Sequence, residues 1–187
     1  MANRGGEASG SGSGLCPFLG HFSTPALLMA FRASFGIPDD VQVTLVGQRV
    51  DGAATVQHAE GLMLIPLMAV FEGGVRFPLH PFLVSILREL GTSTSMFTVN
   101  FYRIVMTLAR LNERHNLRLT SNEFFGMYAI NRNKRTGRYF PAIRKGKDYA
   151  VDMLPDADQW GGILLSVTGN YAPRDRPISW RPDSIGN

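Results

Sequence analysis

The chain has 187 residues, 44% hydrophobic and 18% charged, with a formal net charge of +4 and a sequence pI of about 9.6, which suits one domain with a real core. A single cysteine, Cys16, excludes an internal disulfide framework and a zinc knuckle. The longest apolar run, residues 62–71, is far short of the ~20 residues a membrane helix needs and contains Pro66, so no membrane association is expected.

Residues 1–14, Met-Ala-Asn-Arg-Gly-Gly-Glu-Ala-Ser-Gly-Ser-Gly-Ser-Gly, lack the side chains to offset their ordering entropy and have no apolar h-region. They predict a disordered arm over residues 1–20 and no secretory signal. No Asn-x-Ser/Thr acceptor occurs, and together these features suggest a soluble intracellular protein, nuclear or cytoplasmic.

Thr24-Pro25 is a helix start, because threonine can cap an orphan amide and proline at the first helical position loses no needed N–H. Leu27, Leu28, Phe31 and Phe35 follow at helical spacing until Gly36 and Pro38 stop the run. Val41, Val43 and Leu45 alternate with Gln42 and Thr44, which suits a half-buried strand or an extended loop. A polar, Gly/Ala-rich connection over 47–61 leads to the apolar run 62–71.

Pro78 and Pro81 precede a second helix with Phe82, Leu83, Ile86, Leu87 and Leu90 on its apolar face and Gly91 as its left-handed terminator. A longer helix is predicted from about 98 to 113, with Phe101, Ile104, Val105, Leu108 and Leu111 as its core stripe and Arg103, Thr107, Arg110 and Arg114 sharing the opposite face. Thr120 or Ser121 caps a further helix holding Phe124, Phe125 and Tyr128, with Glu123 in its first turn. Residues 131–137 read as a loop and 139–143 as an edge strand that tolerates Pro141. A turn at 145–147 and a strong strand signal over 160–168 follow. Helices followed by strands predict an α+β fold, with three to four short helices forming a core and a small sheet or hairpin after them. The folded part is expected over residues 21–170, with an extended tail or linker at 171–187.

Charge is segregated. Residues 101–150 carry eleven basic side chains against three acidic ones, and the rest of the chain is net acidic. Such a field favours nucleic acid or an acidic partner.

The phrase Phe-Pro-Leu-His-Pro-Phe-Leu at residues 77–83, within 74–83, resembles the gypsy-type transposon domain of plants. The corresponding parts here are residues 101–111 for the longer helix, Phe124, Phe125 and Tyr128 for the next, then Tyr139-Phe140 and the strand that follows Trp160. The resemblance spans roughly residues 35–170. It implies a retrotransposon-derived protein, gag-like or accessory, with no catalytic residues to carry over. A self-assembly or interaction domain, binding itself or other retroelement proteins through residues 62–71, and a decayed element fragment without function are the alternatives.

Candidate chemistry is sparse. His80, between two prolines, is expected to satisfy backbone groups where a helix begins. His21, His58 and His115 are far apart and no metal-ligand spacing occurs, so neither metal nor cofactor is expected. Asp152, Asp156 and Asp158 flank Pro155 in one short segment, which suits a solvated turn better than a two-cation site. No nucleophile elbow or P-loop is present, and neither an enzyme nor a small-molecule substrate is expected. The nucleic-acid candidates are Arg132, Lys134, Arg135, Arg138, Arg144, Lys145 and Lys147, with Tyr139 or Phe140 as a stacking ring. The competing reading is a loop kept soluble by charge, with the rings in the core.

Overall fold

Thr24 caps the first helix, α1 (Pro25–Ser34), by accepting a hydrogen bond from Leu27 N–H, with Pro25 at the start of the helix. The computed structural model describes residues 17–48, 61–146 and 162–173. Arg32 donates to Val41 O and Pro38 O, both at 2.7 Å, and thereby fastens α1 to the strand that follows, β1 (Val41–Gln48). Val41 and Val43 are buried while Gln42 and Thr44 are exposed, so the predicted alternation is a true strand.

The chain then forms β2 (Met63–Pro66), α2 (Leu67–Phe71), α3 (Pro81–Leu90), α4 (Val99–His115), α5 (Ser121–Met127), β3 (Tyr128–Arg132), β4 (Tyr139–Ile143) and β5 (Ile163–Gly169), an α+β architecture. The strands among the described residues form two sheets. β3 and β4 make an antiparallel hairpin, and a three-stranded antiparallel sheet runs in the order β1-β5-β2.

The three-stranded sheet departs from the expected order of helices first and strands after. Ile163, Leu164, Leu165 and Val167 of β5 are all buried, so this strand needs cover on both edges and both faces, and it recruits β1 and β2 from before the helices. Val43 and Met63 both register with Val167, and Leu45 and Ile65 with Leu165. The register shifts between Val46 and Gln48, a bulge at Gly47.

The apolar run 62–71 is not an exposed docking surface. It turns from strand into helix at Pro66, and every residue from Met63 to Val70 is buried. An assembly reading based on this segment is therefore corrected, since its side chains are already used within the fold.

α4 is the core helix. Phe101, Tyr102, Val105 and Ala109 have no solvent exposure, and Ile104 and Leu108 are buried beside them. The Tyr102 hydroxyl donates to Thr94 O at 2.5 Å, and Phe97 stacks on Phe101 with ring centroids 4.1 Å apart. A second aromatic group joins Phe18, Phe22, Phe31, Phe35 and Phe71. Phe18 and Phe22 belong to a short 3-10 turn, Pro17–Phe22. The expected disordered arm over 1–20 is thus corrected at its end, because Phe18 packs on Phe71 at 4.3 Å. The tail boundary is corrected too: Tyr171 is buried, and its carbonyl accepts Leu79 N–H at 2.7 Å.

The predicted helix holding Phe124, Phe125 and Tyr128 also ends earlier than expected. Thr120 and Glu123 form a reciprocal capping box for α5, but Tyr128 is already extended and opens β3. Its ring stays in the core by stacking on Phe124 at 5.4 Å. Asn131 and Arg132, expected in a loop, complete β3.

Candidate nucleic-acid interface

The β3–β4 hairpin pairs Tyr128 with Ile143, Ile130 with Pro141 and Arg132 with Tyr139 on one face, leaving Ala129, Asn131, Phe140 and Ala142 on the other. Its tip is ordered by Asn133. The Asn133 side-chain oxygen accepts Arg135 N–H at 2.9 Å and Thr136 N–H at 3.2 Å, an Asx-type turn. Asn133 N–H donates to Arg138 O and Gly137 N–H to Asn133 O, both at 2.8 Å, with Gly137 at φ 68°. This backbone turns Lys134 and Arg135 outward, and both are exposed. Arg132 is exposed beside them, its Nε donating to Gly137 O at 3.4 Å.

Arg144 and Lys145 are also exposed but lie at the opposite end of the hairpin. Arg144 N–H donates to Met127 O at 2.9 Å and its Nε to Phe125 O at 2.7 Å, which fixes it beside α5. Between Arg132 and Met127 are five residue steps, about 17 Å of strand at ~3.4 Å each. The candidate cations therefore form two groups at the ends of one hairpin. Lys147 lies outside the described residues, as do Trp160, Asp152, Asp156 and Asp158.

Arg138 does not belong with them. It is 8% exposed, held inside by its position between the tip and β4, where its charge reaches the buried Tyr102 phenol. Burial pushes that phenol well above its ordinary pKa of 10.0, and Arg138 acts in the opposite direction. A buried guanidinium cannot reach a phosphate, so Arg138 is removed from the predicted set. Tyr139 is likewise buried, with its ring 5.9 Å from Phe97, and cannot stack on a base. Phe140, on the outer face, is half-buried.

The arginine face of α4 divides as well. Arg103 pairs with Glu72 and donates to Asn100 Oδ1 at 3.0 Å. Arg110 and Arg114 are exposed. Glu113 does not pair with Arg110 as the i,i+3 spacing suggests. Its Oε1 accepts from His80 Nε2 at 2.9 Å instead.

This pairing reflects a strap over residues 72–80 that runs along α4 in the same direction. Glu72 meets Arg103, Gly73 abuts Tyr102, Gly74 lies over Met106 and Arg110, and His80 reaches Glu113. A Cβ on Gly73 would fall 2.6 Å from both Ala69 O and Tyr102 Cβ, so only glycine permits the approach. Between the two ion pairs lies Arg76. Its Nη1 donates to Val70 O at 3.1 Å and Val75 O at 2.7 Å, and its Cζ is 4.8 Å from the Phe35 ring centroid. Partial burial lowers the Arg76 pKa, and the nearby positive charge of Arg110 lowers it further. Sequence reasoning missed Arg76 because its neighbours Phe35, Val70 and Arg110 come from the end of α1, from α2 and from α4. The Gly73-Gly74 doublet was the available signal of a close approach.

His80 behaves as its setting between two prolines predicts. Nδ1 accepts Phe82 N–H at 3.1 Å and caps α3, which fixes Nε2 as the nitrogen that faces Glu113. Neither ring nitrogen is left to act as a base.

No group of three or more His, Cys, Asp or Glu side chains suited to a metal ion occurs among the described residues, and no helix among them is long and apolar enough to cross a membrane. No family model, curated protein or solved structure matches the chain.

Proposed function

We propose that the protein is a non-enzymatic module derived from a plant gypsy-type transposon, a gag-like or accessory unit that binds nucleic acid inside the cell, in the nucleus or cytoplasm. The ancestry rests on the resemblance carried by residues 74–83 and the helices and strands after it. The binding rests on one observation: Arg132, Lys134 and Arg135 project from an ordered hairpin tip, with Arg144 and Lys145 exposed at its far end. Cations held on a rigid ribbon neutralise phosphates at little ordering cost, and backbone contact of this kind is indifferent to sequence. The non-enzymatic reading is supported by His80, whose two ring nitrogens are both engaged in structural bonds.

A filter-binding titration with generic RNA and DNA across a salt series tests this. Affinity should fall steeply with salt, and replacing Arg132, Lys134 and Arg135 together by alanine should reduce the slope on single strands by about 2. A flat salt response, or a slope unchanged by the triple substitution, removes the proposal.

A further inference from the structure

The geometry points to an oxyanion site between Arg76 and Arg110, built to take one phosphate group. It lies on the strap and α4, apart from the hairpin cations, and does not depend on their function. Three observations carry it. First, the Arg76 guanidinium is fixed: both Nη1 protons are given to Val70 O and Val75 O, and its Cζ lies over the Phe35 ring. A guanidinium has five N–H donors, and among the described residues the three on Nε and Nη2 have no partner. These form the edge that grips a phosphate or carboxylate in two parallel bonds.

Second, Arg110 lies over Gly74, two residues along the strap from Arg76, and its charge is felt at the Arg76 guanidinium. Its Nη2 is 3.8 Å from the point where a Gly74 Cβ would stand, and Gly74 has φ 76°, a conformation that favours glycine. The Arg110 guanidinium makes no ion pair or hydrogen bond among the described residues. Third, among the described residues the two carboxylates that flank the pair on the strap and α4 are committed to other partners, Glu72 to Arg103 and Glu113 to His80. Two like charges thus lie near one another with no ion-pair partner among the described residues, and a bound dianion relieves their repulsion.

Inorganic phosphate is the probe, with thermal unfolding as the readout at constant ionic strength. Raising phosphate from 1 to 50 mM should lift the wild-type Tm by about 3 °C more than it lifts that of Arg110→Gln. The general stabilising action of phosphate on protein surfaces is common to both chains and cancels in that difference. In phosphate-free buffer of low ionic strength, Arg110→Gln should melt no lower than wild type, because it removes a repulsion. Arg135→Gln, at the hairpin tip, should keep the full phosphate response even where it weakens nucleic-acid binding. The same rise in wild type and Arg110→Gln, or no phosphate-dependent rise in either, overturns the site. Titration with a twelve-nucleotide oligothymidylate identifies the source of the phosphate. A salt slope smaller by about 0.7 in Arg110→Gln assigns a nucleic-acid backbone, and an unchanged slope assigns a free phosphorylated molecule.

Discussion

His80 Nε2 lies 2.9 Å from Glu113 Oε1 while Nδ1 of the same ring accepts Phe82 N–H. One imidazole thus caps α3 and ties the strap to the last turn of α4, and the two roles separate by substitution. His80→Ala should lose about 1–2 kcal/mol of stability in urea denaturation. His80→Asn keeps a capping oxygen and should recover most of it, whereas Glu113→Gln, on an exposed carboxylate, should cost under about 1 kcal/mol. Equal losses for the alanine and asparagine variants would refute the capping role.

Gly73→Ala should be more damaging than any surface substitution. The added methyl meets Ala69 O and Tyr102 Cβ at 2.6 Å, and neither α2 nor α4 can withdraw without opening the core. A loss of at least about 2 kcal/mol is expected from the urea midpoint. Gly126→Ala, where a Cβ would meet nothing within 4 Å, is the matched control and should be neutral or slightly stabilising.

The cap on α5 predicts a pH dependence. Hydrogen bonds from the Thr120 side chain, then its backbone N–H, hold the Glu123 carboxyl below its ordinary 4.5. A depressed folded pKa means stability that is present above the unfolded value and lost as pH falls through the folded one. The Tm difference between wild type and Glu123→Gln should therefore be constant above about pH 5.5 and shrink on acidification below the ordinary carboxylate range. A difference that grows in acid is incompatible with the cap. Thr120→Ala should cost about 1 kcal/mol at neutral pH.

Arg138 and its loop neighbours should respond in opposite ways. Arg138→Ala removes a buried stem and should lower stability by about 1–3 kcal/mol while leaving the salt slope of nucleic-acid binding intact. Lys134→Ala with Arg135→Ala should keep stability within about 0.5 kcal/mol and reduce that slope. Denaturation and binding measured on the same preparations decide the assignment.

Local chemistry made much of this structure legible. Thr24, His80 and Thr120 cap their helices and Gly91 ends α3 in the left-handed region, because caps depend on a few adjacent residues. The burial of Phe101, Ile104, Val105 and Leu108 follows from helical period. What the sequence hid was long-range. The pairing of β5 with β1 and β2 is set by the exposure β5 must avoid, which no local window contains. Tyr128 moved from helix to strand because its packing on Phe124 is available from either conformation. At the candidate interface, Arg138 and Arg135 look alike in sequence, and only the Asn133 turn, which sends one inward and the other out, tells them apart.

The register of β5 bears on how the chain is made. Val41 pairs with Gly169 and Met63 with Val167, so on a ribosome adding about 5–20 residues per second β1 waits roughly 6 to 26 s and β2 roughly 5 to 21 s for the strand that joins them. Through that interval the nascent chain carries two unpaired apolar edges, and whatever shields them during translation governs the yield of native protein.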